Sequence, residues 1–480
     1  MMKETRVFLV KPYARSVYGY PTTPLLGLGL LASILIKAGF KTQVLDLRLK
    51  GYGKEDLLVA IADFKPNIIG FSASSFDYLS AVELCKTIKE IDANIVTVIG
   101  GPHSTMCPEK AIEPESVDYI CIGEADTTLS KFVGAFPNKE RMKTIRGFGY
   151  KDGSKKIFNP APDHIYDLDS LPFADFGLFP IEKYRVGKTL TLPLFTSRGC
   201  PYNCCYCCSY LIHGRKYRAR SAQSLVQEIE MNVEKFKTKY FTIADDTFNF
   251  DKQRVIDFCN LLIEKKLQIE WDCPQGIRAD KLTPEIAKLM KKAGCKLLAM
   301  GIESVDTDVL KMIQKGETID QIEAAVKAVN EAGIISKAFF LVGLPGDSVE
   351  KVLESIKFFK KNNIYIPRYS MIVAYPTTNL EKWVGGNANL YYDPYEYVTT
   401  HNECSDDIGV QFDTDDFPKK ERYRIFRYAE KEAEIWLIRN KLIDKFGPLF
   451  GKILAVPFRL KIFRDILRLA FKLNIINIYS

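Results

Sequence analysis

The stretch SRGCPYNCCYCCS, residues 197–209, holds five cysteines between Cys200 and Cys208. Three of them, Cys200, Cys204 and Cys207, follow the spacing C-x3-C-x2-C. Thiolates are soft ligands that select zinc, copper(I) or iron–sulfur clusters. A structural zinc site closes with four ligands, commonly from two separated pairs, and an ordinary cubane cluster also takes four cysteines. Three cysteines in one loop leave one iron of a cubane open to a small molecule, and an open metal position points to catalysis. Cys205 and Cys208 are expected to face elsewhere, because adjacent positions in a tight loop cannot all reach one metal. A disulfide framework, a zinc knuckle and buried packing residues are the rival readings, but disulfide frameworks belong to short secreted chains. This chain has 480 residues, and its first segment, MMKETRVFLVKP, runs into an apolar strand pattern without an export signal. Cys85, Cys107, Cys121, Cys259, Cys273, Cys295 and Cys404 are scattered and read as small buried hydrophobes.

Around the cysteine loop, residues 191–376 alternate strand and helix patterns with a long period. Strands are predicted at PLFTSRG, YFTIADD, IEWDCPQG, LLAMGIES, AFFLVGLPG and YSMIVAYP. Six strand–helix units of this length predict a partial (β/α)6 TIM barrel, whose chemistry belongs at the carboxyl ends of its strands. The cysteines follow the first strand. Asp245 and Asp246 end the second, Arg278 follows the third, Glu303 and Ser304 end the fourth, and Gly343-Leu344-Pro345-Gly346 ends the fifth. Packing alone does not account for polar residues recurring at one end of successive strands.

Upstream, residues 1–136 alternate in the same way, with strands at RVFLV, TQVLDL, NIIGF, NIVTVIGG and DYICIG. They predict a doubly wound, Rossmann-like α/β domain that binds its ligand at the strand carboxyl ends. Those ends carry Ser72-Ala73-Ser74-Ser75, Gly100-Gly101-Pro102-His103-Ser104-Thr105 and Gly123-Glu124-Ala125-Asp126. Small residues admit a large ligand to the backbone, and hydroxyls supply hydrogen bonds. Residues 137–190 read as a connector containing a hairpin with an Asp-Gly turn and an extended, proline-bearing crossover.

With these segments in place the chain resembles the radical S-adenosylmethionine superfamily, on the C-x3-C-x2-C triplet with Tyr206 before its last cysteine. Residues 1–136 resemble the cobalamin-binding domain that precedes many members, on GGPHST, IGEAD and PLLGLGLLAS. The resemblance implies a 4Fe-4S cluster on Cys200, Cys204 and Cys207, with S-adenosylmethionine on the open iron. One of Asp245 and Asp246 would receive the methionine ammonium, since adjacent strand residues face opposite ways. Arg278 would meet the methionine carboxylate or form a structural ion pair. Glu303, with Ser304, would lie near the ribose hydroxyls. Gly343 and Gly346 would let backbone approach the cofactor or simply make a turn. Arg218 and Arg220 would neutralise the cluster or form a solvated basic turn. Cobalamin would lie against Ser74, Gly100, Gly101, His103, Ser104 and Gly123. The D-x-H-x-x-G motif, whose histidine ligates cobalt elsewhere, is absent, and Lys11-Pro12-Tyr13 stands in its place.

What this implies is reductive cleavage of S-adenosylmethionine to a 5′-deoxyadenosyl radical and modification of an unactivated carbon, by C-methylation first. A radical oxidative cyclase or ring-rearranging enzyme is the second reading, and a non-catalytic iron–sulfur electron carrier the third. A small flavodoxin or ferredoxin is the expected electron donor.

Composition bounds the rest. The net charge of +8 is modest and does not argue for nucleic acid. No apolar run reaches bilayer-spanning length. Free cysteines without an export signal predict a reducing cytoplasm. Residues 377–480 read as an aromatic, acidic cap over the barrel mouth followed by a mainly helical extension. The segment 441–480 has eight Lys or Arg against two Asp. Apolar Leu460, Ile462, Phe463, Ile466, Leu467, Leu469 and Phe471 interleave there with Lys461, Arg464, Arg468 and Lys472. Such a helix suits the membrane interface, and with it a lipid-linked rather than a free small-molecule substrate, or packs on the barrel with a solvated basic face.

Overall fold

The computed structural model describes residues 5–13, 20–400 and 409–472, with side chains to 468, so Cys404, Leu469, Phe471 and Lys472 lie outside what is described of side chains. Strands β1 (Arg6–Lys11), β2 (Lys41–Asp46), β3 (Ile68–Ser72), β4 (Val96–Gly100) and β5 (Tyr119–Cys121) form a parallel sheet in the order 2-1-3-4-5. Alternation along β1 explains why both faces are covered. Val7 and Leu9 point into one core and Phe8 and Val10 into the other. Helices α1 (Leu26–Lys37) and α5 (Leu129–Ala135) cover the first face; α2 (Lys54–Phe64) and α3 (Tyr78–Ile91) cover the second. The hairpin of the connector, β6 (Phe148–Asp152) and β7 (Lys155–Phe158), joins this sheet antiparallel to β5 and extends it to seven strands. The rest of the connector lies on the first face, where Phe176 and Tyr184 are buried and the Tyr184 hydroxyl donates to Asp46 Oδ2 at 2.9 Å.

The second sheet is the predicted partial barrel. β8 (Thr191–Leu194), β9 (Tyr240–Ile243), β10 (Glu270–Ile277), β11 (Cys295–Glu303), β12 (Ile335–Val342) and β13 (Ile366–Met371) pair in chain order, all parallel. The helices between them start where side chains satisfy the orphan N–H groups. Ser221 opens α6 (Ala222–Phe236), Asp251 opens α7 (Lys252–Glu264) and Thr283 opens α8 (Pro284–Lys292). Thr318 and Gln321 form a capping box on α9 (Ile319–Glu331), and Ser348 caps α10 (Val349–Lys361). The inner face of β1–β5 and the barrel share one continuous apolar core.

Beyond the barrel, α11 (Lys419–Phe446) runs from the mouth to the amino-terminal ends of the strands. At its start the buried Arg422 donates to the carbonyls of Gly343 at 3.0 Å and Phe417 at 2.8 Å. Further along, Trp436 Nε1 donates to Ile364 O at 2.8 Å, just before β13. The final helix described is α12 (Lys461–Lys472). Among the described residues no helix is long and apolar enough to cross a membrane.

The carboxyl ends of the two sheets meet at a buried charge cluster. Glu124, after β5, accepts from Arg218 through both carboxylate oxygens, at 2.9 and 2.5 Å. It also pairs with Arg198 at 3.2 Å and with His213 Nδ1 at 3.0 Å. Asp126 takes the other side of Arg198, at 2.7 and 3.0 Å. Burial pushes the Glu124 carboxyl up, but hydrogen bonds from His213 and Arg218 and the charge of Arg198 hold it far below the carboxylate range.

Replacing Glu124 by Ala strands a buried guanidinium and should cost on the order of 3 kcal/mol in urea unfolding at neutral pH. A folded-state carboxyl held below its ordinary 4.5 stabilises fully above that value and loses the contribution as pH falls beneath it. The stability gap between wild type and the variant should therefore be constant at neutral pH and narrow below 4.5; a gap independent of pH would remove the charge cluster as its cause. Arg422→Leu, which removes the donor to the buried carbonyls of Gly343 and Phe412, should cost about 2–4 kcal/mol by the same measurement.

Candidate active site

The cysteine loop leaves β8 and returns as a two-residue antiparallel pair, Ser197–Arg198 with Arg218–Ala219. Gly199 sits where the two legs cross, at φ +82°, and a Cβ there would lie 2.3 Å from the Lys216 carbonyl. Only glycine fits. The loop is pinned by Cys200 N to Gly214 O at 3.3 Å, Cys205 N to Ile313 O at 3.0 Å and Leu380 N to Cys205 O at 2.8 Å. Pinning Cys205 on both sides buries it, whereas Cys200, Cys204 and Cys207 stay partly open. Cys208 is partly open too, on the side of Asp246.

The donor set fits a cluster. Thr247 Oγ1 donates to Cys200 Sγ and Ser209 N to Cys207 Sγ, both at 3.4 Å, the kind of contact that tunes thiolate ligands. Burial pushes the Cys207 thiol up to about 12, so it stays protonated until a metal replaces the proton. Among the described residues no three cysteine, histidine or carboxylate side chains close on a single ion. A cubane draws one thiolate to each iron, so its ligands stand around it instead. The other six described cysteines outside the loop are buried, as packing residues should be.

At the end of β9 the two aspartates divide. Asp245 is buried and accepts from Thr196 N and Ser197 Oγ, both at 2.6 Å, fixing the segment that leads into the cysteines. Asp246 is exposed toward Cys208. Arg278 spends its donors internally, on Asp280 at 2.8 Å, Lys315 O at 2.8 Å and Gly316 O at 3.0 Å. Its guanidinium stacks on Tyr202 of the cysteine loop, 3.7 Å from the ring centroid. This geometry is the structural ion pair. Glu303 holds φ +65° at the end of β11, strained for a non-glycine residue. The Tyr206 hydroxyl reaches its carboxylate, and Lys315 approaches at 3.5 Å. Ser304 is buried beside it and its Oγ accepts from Asp306 N at 3.2 Å. Gly343 and Gly346 have φ of +91° and +76°, and Gly343 N donates to Asp347 Oδ2 at 2.8 Å, closing a turn.

Lys315 carries no motif, yet it is buried between Glu303 and Glu317 beside Cys204. Burial lowers a lysine, but these two carboxylates outweigh it and keep this one charged. Arg218 and Arg220 do not form a solvated turn and do not face the cluster. Arg218 holds Glu124, and Arg220 is buried against Glu228 and Ser224. Each arginine takes the nearest buried carboxylate because an unpaired buried charge is costly.

Across the junction, Ser74 N donates to Asp77 Oδ1 at 2.7 Å, and Ser104 Oγ to Ile99 O at 3.0 Å. Gly100 packs on Cys121, and Gly101, at φ +99°, brings its backbone against Ala73, where a Cβ would lie 2.7 Å from the carbonyl. Gly123 N donates to Thr105 Oγ1 at 2.9 Å. His103 lies in α4 (Pro102–Met106), fully buried, stacked on Tyr78 at 3.9 Å and tilted against Tyr395 of the cap at 5.5 Å. Burial pulls His103 down to about 4, so it is neutral at physiological pH. Lys11 is held by Asp77 and Ser72 O. α4 packs against the short helix after the cysteines (Ser209–His213). His103 Nε2 and Ser209 Oγ, one from each, are buried without a hydrogen-bond partner among the described residues. Orphaned polar atoms of this kind fit a polar group of a corrinoid or nucleoside at the junction.

Family models match the chain in two places. The Radical SAM superfamily covers residues 194–359, and the B12 binding domain covers residues 14–133. The chain is 31% identical over 404 residues to the uncharacterized methyltransferase PH0819 of Pyrococcus horikoshii, covering 83% of this chain and 87% of that protein. It is 30% identical to the anaerobic magnesium-protoporphyrin IX monomethyl ester cyclase of Rubrivivax gelatinosus, covering 76% of this chain and 67% of that protein. Among solved structures, the cobalamin-dependent S-adenosylmethionine radical enzyme OxsB shares the fold, with a TM-score of 0.71 and 20% identity over 97% of this chain and 75% of that one. The protein belongs to the radical S-adenosylmethionine superfamily, in the group that carries a B12-binding domain ahead of the barrel.

Proposed function

We propose that this enzyme transfers a methyl group to an unactivated carbon of its substrate. When bound, the cluster and S-adenosylmethionine supply the radical chemistry and cobalamin carries the methyl group. The observation that carries the reading is the junction itself. Glu124 and Asp126 tie the strand ends of the B12-binding domain to both legs of the cysteine loop, through Arg198 and Arg218. In this reading both cofactor sites open on one space.

Within it, Cys200, Cys204 and Cys207 hold the cluster. Asp246, open beside the loop, accepts the methionine ammonium, while Asp245 positions Thr196 and Ser197. Glu303, fixed by Tyr206 and Lys315, accepts the ribose hydroxyls with Ser304 beside it. Arg278 is a positioning residue for the turn that carries Lys315. Gly343 and Gly346 shape the rim. Ser74, Gly100, Gly101, Ser104 and Gly123 line the corrinoid side, and neutral His103 offers Nε2 as a hydrogen-bond partner. The substrate is a small molecule or the head of a lipid-linked one, and a flavodoxin- or ferredoxin-type protein reduces the cluster. The relation to a cyclase sustains a second reading, radical ring formation in the same cavity.

The enzyme reconstituted anaerobically with iron, sulfide and cobalamin should form both 5′-deoxyadenosine and S-adenosylhomocysteine. Label from methyl-labelled S-adenosylmethionine should appear on a product carbon. Deoxyadenosine with a product two hydrogens lighter, and no label in it, would establish cyclisation instead. Cys200→Ala, Cys204→Ala and Cys207→Ala should each abolish the cluster's visible absorption and all nucleoside products. Cys205→Ala and Cys208→Ala should keep the absorption; its loss there would overturn the ligand assignment.

A further inference from the structure

α12 packs on the protein inside out. Among its described side chains the buried ones are Arg464 and Leu467, and Arg464 and Arg468 hold Glu434 of α11 at 3.3 and 2.7 Å. The apolar stripe turns outward, with Leu460 61%, Ile462 64% and Ile466 59% exposed. The turns before it continue the surface through Leu449 at 69%, Phe450 at 65% and Val456 at 61%. Solvent-exposed apolar side chains are ordinary when single, but a run of them marks an interaction surface. Exposed Lys445, Lys452, Arg459 and Lys461 are interleaved with it.

The turns lie past Trp436, at the amino-terminal end of the barrel strands, and α12 returns from them along α11 to Glu434. A second feature shares that end. A cavity of about 810 Å³ opens before β8, β9, β10 and β11. Lys188, Lys237, Lys239, Lys266 and Lys292 line it, and its acid, Glu270, is paired with Lys296 at 2.7 Å. Two unrelated parts of the chain thus make one end of the barrel cationic.

We propose that this end seats on an anionic lipid bilayer, the apolar side chains of the turns and of the start of α12 lying in the headgroup layer and Lys445, Lys452, Arg459 and Lys461 at the phosphates. Charge selects the occupant. A second copy of the chain would bring like charges together, whereas anionic headgroups complement them.

Full-length reconstituted enzyme should float with vesicles of phosphatidylcholine and phosphatidylglycerol, weakly with phosphatidylcholine alone, and less as salt rises. Phe450→Glu with Ile462→Glu should lower the bound fraction roughly tenfold while leaving the thermal melt and cluster absorption unchanged. Lys452→Gln with Lys461→Gln should weaken binding to anionic vesicles only. No flotation with phosphatidylglycerol, or equal flotation of wild type and the glutamate variant, would overturn the proposal. So would sedimentation showing a dimer that the glutamate variant turns to monomer.

Discussion

Glu124 lies among Arg218, Arg198, His213 and His164, and the position of almost every other functional group follows from that pairing. Two separate parallel sheets each carry their ligand-binding groups at the carboxyl ends of their strands. Nothing in either sheet alone requires those ends to face one another. A buried carboxylate with buried guanidiniums has few low-energy arrangements, because each charge left unpaired away from water is expensive. Arg198 precedes the first cluster cysteine by two positions and Arg218 ends the return leg, so one carboxylate and its neighbour Asp126 grip the loop at both ends. Docking of the domains and shaping of the loop are therefore a single event.

The barrel mouth repeats the device on a smaller scale. Asp245 gathers Thr196 and Ser197, Arg278 gathers the turn at Lys315 and Gly316, and Arg422 gathers Gly343 with the start of α11. These charged groups act on backbone, and few of them are free for a ligand. Preorganisation of that kind keeps the exposed carboxylate of Asp246 and the strained Glu303 in place.

The architecture was legible in the sequence because it rests on short-range signals. The strand runs and the cysteine spacing are all local. Which ionic partner each residue takes was not legible, because pairing depends on the fold. Arg218 and Glu124 stand 94 positions apart, and their pairing leaves no trace in spacing. Glu124 and Asp126 read as part of a ligand-binding turn, and Arg218 and Arg220 as cluster neutralisers or a solvated basic turn, for that reason. The Asp-Gly turn between β6 and β7 announced a hairpin but not the sheet edge that received it. In α12 the pattern specified two faces and was silent on which one meets the protein; Glu434 decides it from α11.

α11 gives the molecule a fixed standoff. Its 28 residues span about 42 Å at 1.5 Å per residue, from Arg422 at the mouth to the exposed turns beyond Phe446. An enzyme resting on those turns holds its reaction chamber a full barrel's height above the surface. A molecule anchored in that same surface then needs a tether at least as long as the helix to bring its far end to the chamber.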